Sequence, residues 1–116
     1  MATALEIVNK FSQTQDTSLL ADDFKFIGPV DQAHGIEEFM KLNASFFPMV
    51  ADMRMLQQFE NGNNVCTIFE IDVNVPTGDT IMLTVADWVV VENGKMALQR
   101  IYYDAREFAA AMQPEA

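Results

Sequence analysis

The spacing of apolar residues changes at Pro48 from a helical to a strand-like period, which limits the folds open to the chain. Before Pro48, apolar residues recur every three or four positions over residues 2–13 and 36–47, which predicts two amphipathic helices. After Pro48, apolar and polar residues alternate, which predicts four strands over residues 53–59, 65–73, 80–91 and 95–103. The intervening segments have the composition of tight turns and predict an antiparallel meander; they are Asn61-Gly62, Pro76-Thr77-Gly78-Asp79 and Asn93-Gly94.

Two shorter elements are predicted between the helices. Phe24 and Phe26 alternate with charged residues, which predicts a first strand that ends at Gly28. Before this strand, Asp16 offers an N-cap oxygen to a short helical turn over residues 19–21.

The order of elements indicates the fold class. Asp104 is expected to cap a last short helix. Helix, strand, helix and a four-stranded meander together predict an α+β fold with the helices on one face of a curved antiparallel sheet. The length of 116 residues predicts a single domain over residues 1–116.

Charge and composition argue against several classes of partner. The chain has 17 Asp and Glu against 7 Lys and Arg, a formal net charge of −10, so we expect neither nucleic acid nor an anionic membrane as a partner. One Cys66 and one His34 make no metal-ligand cluster, and no metal or cofactor is expected. Residues 1–10 lack the pattern of a signal peptide, and no apolar stretch approaches the roughly 18 residues of a membrane span. We therefore expect a cytoplasmic protein.

Four short motifs follow one another along the chain. They are Leu20-Ala21-Asp22-Asp23 before a strand, Gly35-Ile36-Glu37-Glu38-Phe39 at the start of the main helix, Asn93-Gly94-Lys95 at the last turn and Ile101-Tyr102-Tyr103-Asp104 after it. In their order and spacing, the chain resembles the nuclear transport factor 2-like superfamily, and within it the SnoaL-like and ketosteroid-isomerase-like branch. The resemblance implies a cone-shaped, cystatin-like fold with an apolar pocket, commonly as a homodimer. It does not imply one reaction, because the fold hosts isomerases, cyclases, hydrolases and binding modules.

The resemblance to ketosteroid isomerase can be followed to three positions. The general-base Asp of that enzyme precedes the Pro after the first strand, where this chain has Gly28. Its oxyanion-hole Tyr on the first helix corresponds to Phe11, which has no hydroxyl. Its second oxyanion donor, a protonated Asp on the penultimate strand, corresponds to Asp87. Only one of the three groups is present, so we do not expect steroid-type proton transfer by the same residues.

Two other activities of the superfamily are also incompletely matched. The polyketide cyclases place an acid/base Asp on the final strand, where the pocket-facing candidates here are Gln99, Ile101 and Tyr103. The epoxide hydrolases need an Asp, Arg, Asp set, of which Asp87 and Arg100 supply two members.

Asp87 interrupts an otherwise aliphatic stripe on the long predicted strand. An ionised, unpaired carboxylate buried there would cost several kcal/mol, so Asp87 must be paired, hydrogen-bonded or protonated. A two-residue last turn would place it opposite Arg100 as a structural ion pair. A three-residue turn would place it opposite Gln99, in an apolar pocket where its pKa is raised. The turn residues allow both registers, and the family resemblance favours the second.

Two further residues are candidates for the site. Tyr103 is expected either to present its hydroxyl to the pocket or to be a core tyrosine with a backbone partner. His34 precedes the main helix and follows Asp31 by three residues. It is expected either to act as a base with that carboxylate or to be an exposed loop histidine.

The other face of the long strand is also apolar, and we expect it to form a homodimer interface because a second copy would cover it. The residues of this outer sheet face are Met82, Thr84, Ala86, Trp88 and Val90.

The sequence thus predicts a homodimer whose pocket takes a small apolar or aromatic molecule. As an enzyme, it would use Asp87 as acid or oxyanion donor, with Tyr103 and His34 assisting, in a cofactor-independent isomerase, cyclase or hydratase reaction. The alternative is a non-catalytic ligand-binding or dimerisation module, which Gly28 and Phe11 favour. A pocket that contains Asp87 would favour the enzyme, whereas a pocket filled by Phe and Met side chains would favour the module.

Overall fold

A computed structural model describes residues 2–112 as three α-helices and six β-strands. The helices are α1 (Ala4–Thr14), α2 (Ile36–Phe46) and α3 (Arg106–Met112), with short 3-10 helices at Thr17–Leu19 and Phe47–Met49. The strands are β1 (Leu20–Ile27), β2 (Gln32–His34), β3 (Val50–Asn61), β4 (Asn64–Asn74), β5 (Thr80–Glu92) and β6 (Lys95–Tyr102). Within residues 2–112, no helix is both long enough and apolar enough to cross a membrane.

The six strands form one curved, open sheet in the order β2-β1-β6-β5-β4-β3. The last four strands pair as the predicted antiparallel meander. The first helix, α1, buries Ile7, Val8 and Phe11 in a cluster with Val65 and Val89 of the sheet. The predicted α+β fold, with a curved sheet around N-terminal helices, is confirmed.

The residues of β5 define an inner and an outer face of the sheet. Its inner face, which packs against the helices, carries Ile81, Leu83, Val85, Asp87, Val89 and Val91. Its outer face carries Met82, Thr84, Ala86, Trp88 and Val90.

The first strands of the sheet differ from the prediction. β1 pairs antiparallel with β2 and parallel with β6, so the sheet is mixed and not wholly antiparallel. The three residues of β2 include one apolar side chain, Ala33, and such a short segment shows no alternation. Asp16 caps the helix Thr17–Leu19 as predicted, but Leu20 and Ala21 belong to β1 and not to the preceding turn.

A bulge in β3 reverses the faces that simple alternation over residues 53–59 would give to the second half of the strand. The pairing between β3 and β4 skips Leu56, and one extra residue moves every later side chain to the opposite face. Gln58, and not Gln57, therefore shares the inner face with its partner Thr67. Phe59 turns outward and is 55% exposed.

The last hairpin begins with a two-residue turn. Glu92 pairs with Lys95 across Asn93 and Gly94, which have φ angles of 52° and 77°. These left-handed conformations are those of a type I′ turn, in which Asn followed by Gly is strongly preferred. The pairing then skips Ala97, so a second bulge lies only two residues beyond the turn.

This bulge makes both predicted registers wrong. Asp87 lies opposite Ile101, and neither Arg100 nor Gln99 is its direct partner. Because Ala97 adds one residue to β6, Arg100 moves to the outer face although the turn has two residues. Gln99 and Ile101 share the inner face with Asp87.

Two apolar clusters fill the inner side of the sheet. The first lies under α1 and α2 and contains the fully buried Phe24 together with Phe39. The second lies towards α3 and contains Leu83 and Phe108. Ile101 packs against both clusters, so the end of β6 marks the boundary between them.

Candidate functional site

A cavity of about 120 Å³ lies between the inner face of the sheet, α2 and α3. Aliphatic and aromatic side chains make up most of its wall: Phe26, Val30, Leu42, Phe46, Phe69, Ile71, Leu83, Val85, Ile101, Tyr103 and Phe108. The remaining lining residues are Gly28, Asp31 and Asn43. A mostly apolar cavity with a few polar groups is the usual form of a small-molecule site.

Three polar residues are among those that line this cavity: Tyr103 and Asn43, which are half-buried, and Asp31, which is exposed to solvent. Burial and the nearby charge of Asp31 both raise the pKa of the Tyr103 hydroxyl, so this group is a neutral hydrogen-bond donor at physiological pH. No side-chain hydrogen bond within residues 2–112 engages any of the three groups. They are therefore free to bind water or a ligand.

Asn43 was missed by the sequence analysis, and Asp31 was considered only as a partner of His34. A signal for Asn43 was present, because it lies four residues after the buried Phe39 and three before Phe46, within the apolar stripe of α2. The hairpin loop places Asp31 at the cavity, where the amide of Gly28 donates to the Asp31 carbonyl oxygen at 2.8 Å.

Asp87 lies outside the lining of the cavity. Its carboxylate accepts hydrogen bonds from Gln99 Nε2 at 3.0 Å on both oxygens. Burial raises the pKa of this carboxyl to about 6, although the Gln99 hydrogen bond opposes the shift. The Oε1 atom of Gln99 is buried without a partner among the described residues. The carboxyl is therefore protonated up to a higher pH than that of an exposed aspartate, and its side-chain partner Gln99 is itself only partly hydrogen-bonded.

Asp87 and Gln99 belong to a polar row that crosses the inner face of the sheet. Thr67 of β4 is the direct cross-strand partner of Asp87. Gln58 Nε2 donates to the Thr67 hydroxyl and to Asn9 Oδ1 of α1, both at 2.9 Å. The bulge at Leu56 is what brings Gln58 into this row, which explains why the sequence analysis did not find it.

The polar row lies next to the cavity, two residues further along each strand on the side of α1. Phe69, Val85 and Ile101 line the cavity, and each lies two residues from a member of the row, on the same face of its strand. These three side chains therefore stand between Asp87 and the cavity. A ligand in the cavity therefore does not contact the carboxyl of Asp87, which is itself half-buried.

The three predicted site residues are not brought together. Tyr103 lines the cavity, whereas Asp87 lies behind its wall. His34 is exposed at the end of β2, opposite Lys25; its backbone amide donates to Glu38 Oε1 at 3.1 Å. The neighbouring Ala33 is the β2 residue that faces the core, so the His34 side chain points the other way.

The two positions that differ from ketosteroid isomerase are packed tightly. A Cβ atom at Gly28 would lie 3.2 Å from Ile101 Cγ1 and 3.4 Å from the Asp31 carbonyl oxygen. Phe11 is 5% exposed, and its ring centroid lies 6.2 Å from that of Phe39. A carboxylate at position 28 would thus require Ile101 to move, and position 11 serves the core. Residues 2–112 contain no group of three or more His, Cys, Asp or Glu side chains arranged to hold a metal ion.

Comparison with known proteins supports the same fold. The SnoaL-like domain family matches residues 6–99. A candidate SnoaL-like polyketide cyclase from Jannaschia sp. CCS1 superposes with a TM-score of 0.80 at 15% identity, covering 97% of this chain and 93% of that one. A nuclear transport factor 2-like protein of unknown function from Cytophaga hutchinsonii gives 0.72 at 23% identity, covering 94% and 96%.

A third structure has been solved with a small molecule. It is a protein with a ketosteroid isomerase-like fold from Catenulispora acidiphila, in complex with trimethylamine, with a TM-score of 0.73 at 14% identity and 92% of each chain covered. At these identities the structures show a shared fold only. No curated protein matches this chain.

Proposed function

Because the chain belongs to the SnoaL-like domain family, we propose that its cavity binds a small molecule with an apolar or aromatic body. The observation that carries this proposal is the cavity of about 120 Å³ with its mostly apolar wall. An engineered apolar cavity of about 150 Å³ binds benzene, so the smaller volume here limits a ligand that leaves the wall in place to about the size of one small ring. Tyr103 and Asn43 are the groups that would orient such a ligand by hydrogen bonds.

Binding of 4-fluorophenol, followed by ¹⁹F NMR, tests this proposal. The wild-type protein is expected to bind the probe, and Val85→Phe is expected to abolish binding because the larger side chain fills the cavity. The matched control is Val90→Phe, which makes the same change on the outer face of the same strand. Thermal unfolding checks that both variants fold. Equal binding by wild type and Val85→Phe would contradict the proposal, as would no binding by the wild type.

A second candidate function is acid catalysis at the polar row. It is favoured by the Asp87 carboxyl, whose pKa burial raises to about 6, so that a neutral acid is present near pH 6. In this proposal, Asp87 donates a proton or hydrogen bond to a developing oxyanion and Tyr103 supplies a second donor, whereas His34, whose side chain points away from the core, takes no part. The reaction is a cofactor-independent isomerisation, cyclisation or hydration, and the side chains of Phe69, Val85 and Ile101, which lie between the carboxyl and the cavity, must move to admit the substrate. Asp87→Asn is expected to lower the turnover of the wild-type protein about a hundredfold and to leave 4-fluorophenol binding intact. This result would distinguish an enzyme from a binding module.

We also propose that the outer face is the interface of a homodimer. Four large side chains of this face are substantially exposed: Phe59 (55%), Met82 (52%), Trp88 (37%) and Tyr102 (52%). The Arg100 guanidinium carbon lies 6.0 Å from the centre of the Trp88 ring. An exposed apolar surface of this kind is typical of an interface, and one patch that meets its own copy gives a two-fold dimer.

Sedimentation of the wild-type protein at micromolar concentration is expected to give twice the chain mass of 13.0 kDa. Met82→Asp is expected to give a monomer, because it places a second carboxylate in the proposed interface, directly opposite Asp72 of β4. The control is Met53→Asp, at an equally exposed methionine on the inner side of β3, 53% against 52%. A wild-type monomer, or equal effects of the two substitutions, would contradict the proposed dimer.

A further inference from the structure

Five aromatic rings line the cavity: Phe26, Phe46, Phe69, Tyr103 and Phe108. Phe108 stands nearly perpendicular to two of them, at 75° to Phe46 and 76° to Tyr103, with ring centroids 6.3 and 6.2 Å apart. The three rings therefore pack edge to face on one side of the cavity. The negative face of an aromatic ring attracts an ammonium ion, and sites lined by several aromatic rings bind alkylated ammonium groups.

The charge at the cavity has a single sign. Fourteen described residues line it. Asp31 is the only one of them that is charged at neutral pH, and none is Lys or Arg. The charge of Asp31 contributes to the raised pKa of Tyr103, so the carboxylate is close enough to act on the cavity. The net charge of −10 also favours the approach of cations over anions.

We propose that this cavity selects a small organic ammonium ion over a neutral or anionic molecule, with Asp31 as the counter-charge and the rings around Phe108 as the walls. The proposal rests on the proposed function of the cavity and adds the charge of its ligand. The alkyl groups of such an ion occupy the apolar wall, and its N–H group donates to the Asp31 carboxylate or to Asn43. A neutral ligand gains no attraction from the carboxylate, and an anion is repelled by it.

Two probes of the same shape and different charge test the proposal: trimethylammonium chloride and tert-butanol. Their affinities are measured by NMR titration of the backbone amides of Gly28, Val30 and Asp31 and of residues 101–103. The wild-type protein is expected to bind trimethylammonium about tenfold more tightly than tert-butanol. Asp31→Asn is expected to remove this preference and to leave the affinity for tert-butanol unchanged.

The matched control is Asp23→Asn, which makes the same change of net charge at an exposed aspartate of β1 outside the cavity. It is expected to retain the preference. Phe46→Leu is expected to weaken trimethylammonium binding several-fold more than tert-butanol binding, because it removes a ring and keeps an apolar side chain. Equal affinity for the two probes, or equal effects of Asp31→Asn and Asp23→Asn, would overturn the ammonium proposal. If tert-butanol and 4-fluorophenol bind in that case, the proposed function of the cavity stands; if no probe binds, both fail.

Discussion

Replacing Asp87 with asparagine is expected to stabilise the protein at pH 8 by about 2 kcal/mol and to leave its stability at pH 4 unchanged. At pH 8 the wild-type carboxylate is ionised in a site that disfavours charge, whereas the amide of asparagine carries none. Gln99 can still hydrogen-bond to the amide by presenting either Nε2 or its unpartnered Oε1 atom. The expected gain is therefore somewhat below the roughly 3 kcal/mol that corresponds to a shift of about two pKa units.

The pH dependence follows from which state of the chain holds the proton. Burial raises the pKa of the Asp87 carboxyl from 3.8 to about 6 in the folded protein, while the unfolded chain keeps a pKa near 3.9. Between about pH 4 and pH 6, the folded state thus binds more protons than the unfolded state, so the free energy of unfolding falls as the pH rises. Below this window, Asp87 is protonated in both the folded and the unfolded state. Above it, Asp87 is ionised in both states, and the folded state carries the full free-energy cost of the buried charge.

Urea unfolding at half-unit steps from pH 4 to pH 8 measures this difference. The control Asp23→Asn removes an exposed carboxylate of β1 and is expected to change stability by less than about 0.5 kcal/mol at any pH. The hypothesis is wrong if Asp87→Asn is no more stable than wild type at pH 8, or if the difference between them does not grow between pH 4 and pH 6. A gain at pH 8 would also show that the native sequence keeps a destabilising carboxyl, as expected of a functional group.

The order of the elements could be predicted because the chemistry that determines it is local. The period change at Pro48, the turn at Asn93 and Gly94 and the N-cap at Asp16 each depend on residues close in sequence. The strand β2 could not be predicted, because Ala33 is its one buried residue and its pairing with β1 is formed only in the folded chain. The parallel pairing of β1 with β6 joins segments about 70 residues apart and has no local signal.

The candidate site was less predictable than the fold, because bulges determine which side chains share a face. Alternation along β5 correctly identified Asp87 as a polar residue of the inner face. The bulge at Ala97 changed its partner to Ile101, and the bulge at Leu56 brought Gln58 to the inner face. The position of a bulge depends on how two paired strands twist around the core, so it cannot be predicted from the sequence of one strand.

Replacing Phe39 with alanine is expected to destabilise the protein by about 3 to 5 kcal/mol. Phe39 is 3% exposed, and its ring lies at the centre of an aromatic group. The ring centroids of Phe24, Phe26 and Phe11 lie 4.7, 5.5 and 6.2 Å from it. The substitution leaves a cavity between α2 and the sheet, and the loss is a large part of the 5 to 15 kcal/mol by which a domain of this kind is stable.

Urea unfolding at pH 7 measures the loss, and Phe47→Ala is the matched control because this phenylalanine is 46% exposed at the end of α2. The control is expected to cost less than about 1 kcal/mol. If Phe39→Ala does not fold, Phe39→Leu keeps most of the buried volume and is expected to cost about 1 to 1.5 kcal/mol. Because Phe26 contacts Phe39 and lines the cavity, Phe39→Leu is also expected to weaken 4-fluorophenol binding, which Phe47→Ala leaves unchanged. A loss below 1 kcal/mol for Phe39→Ala would mean that the aromatic group does not support the wall of the cavity.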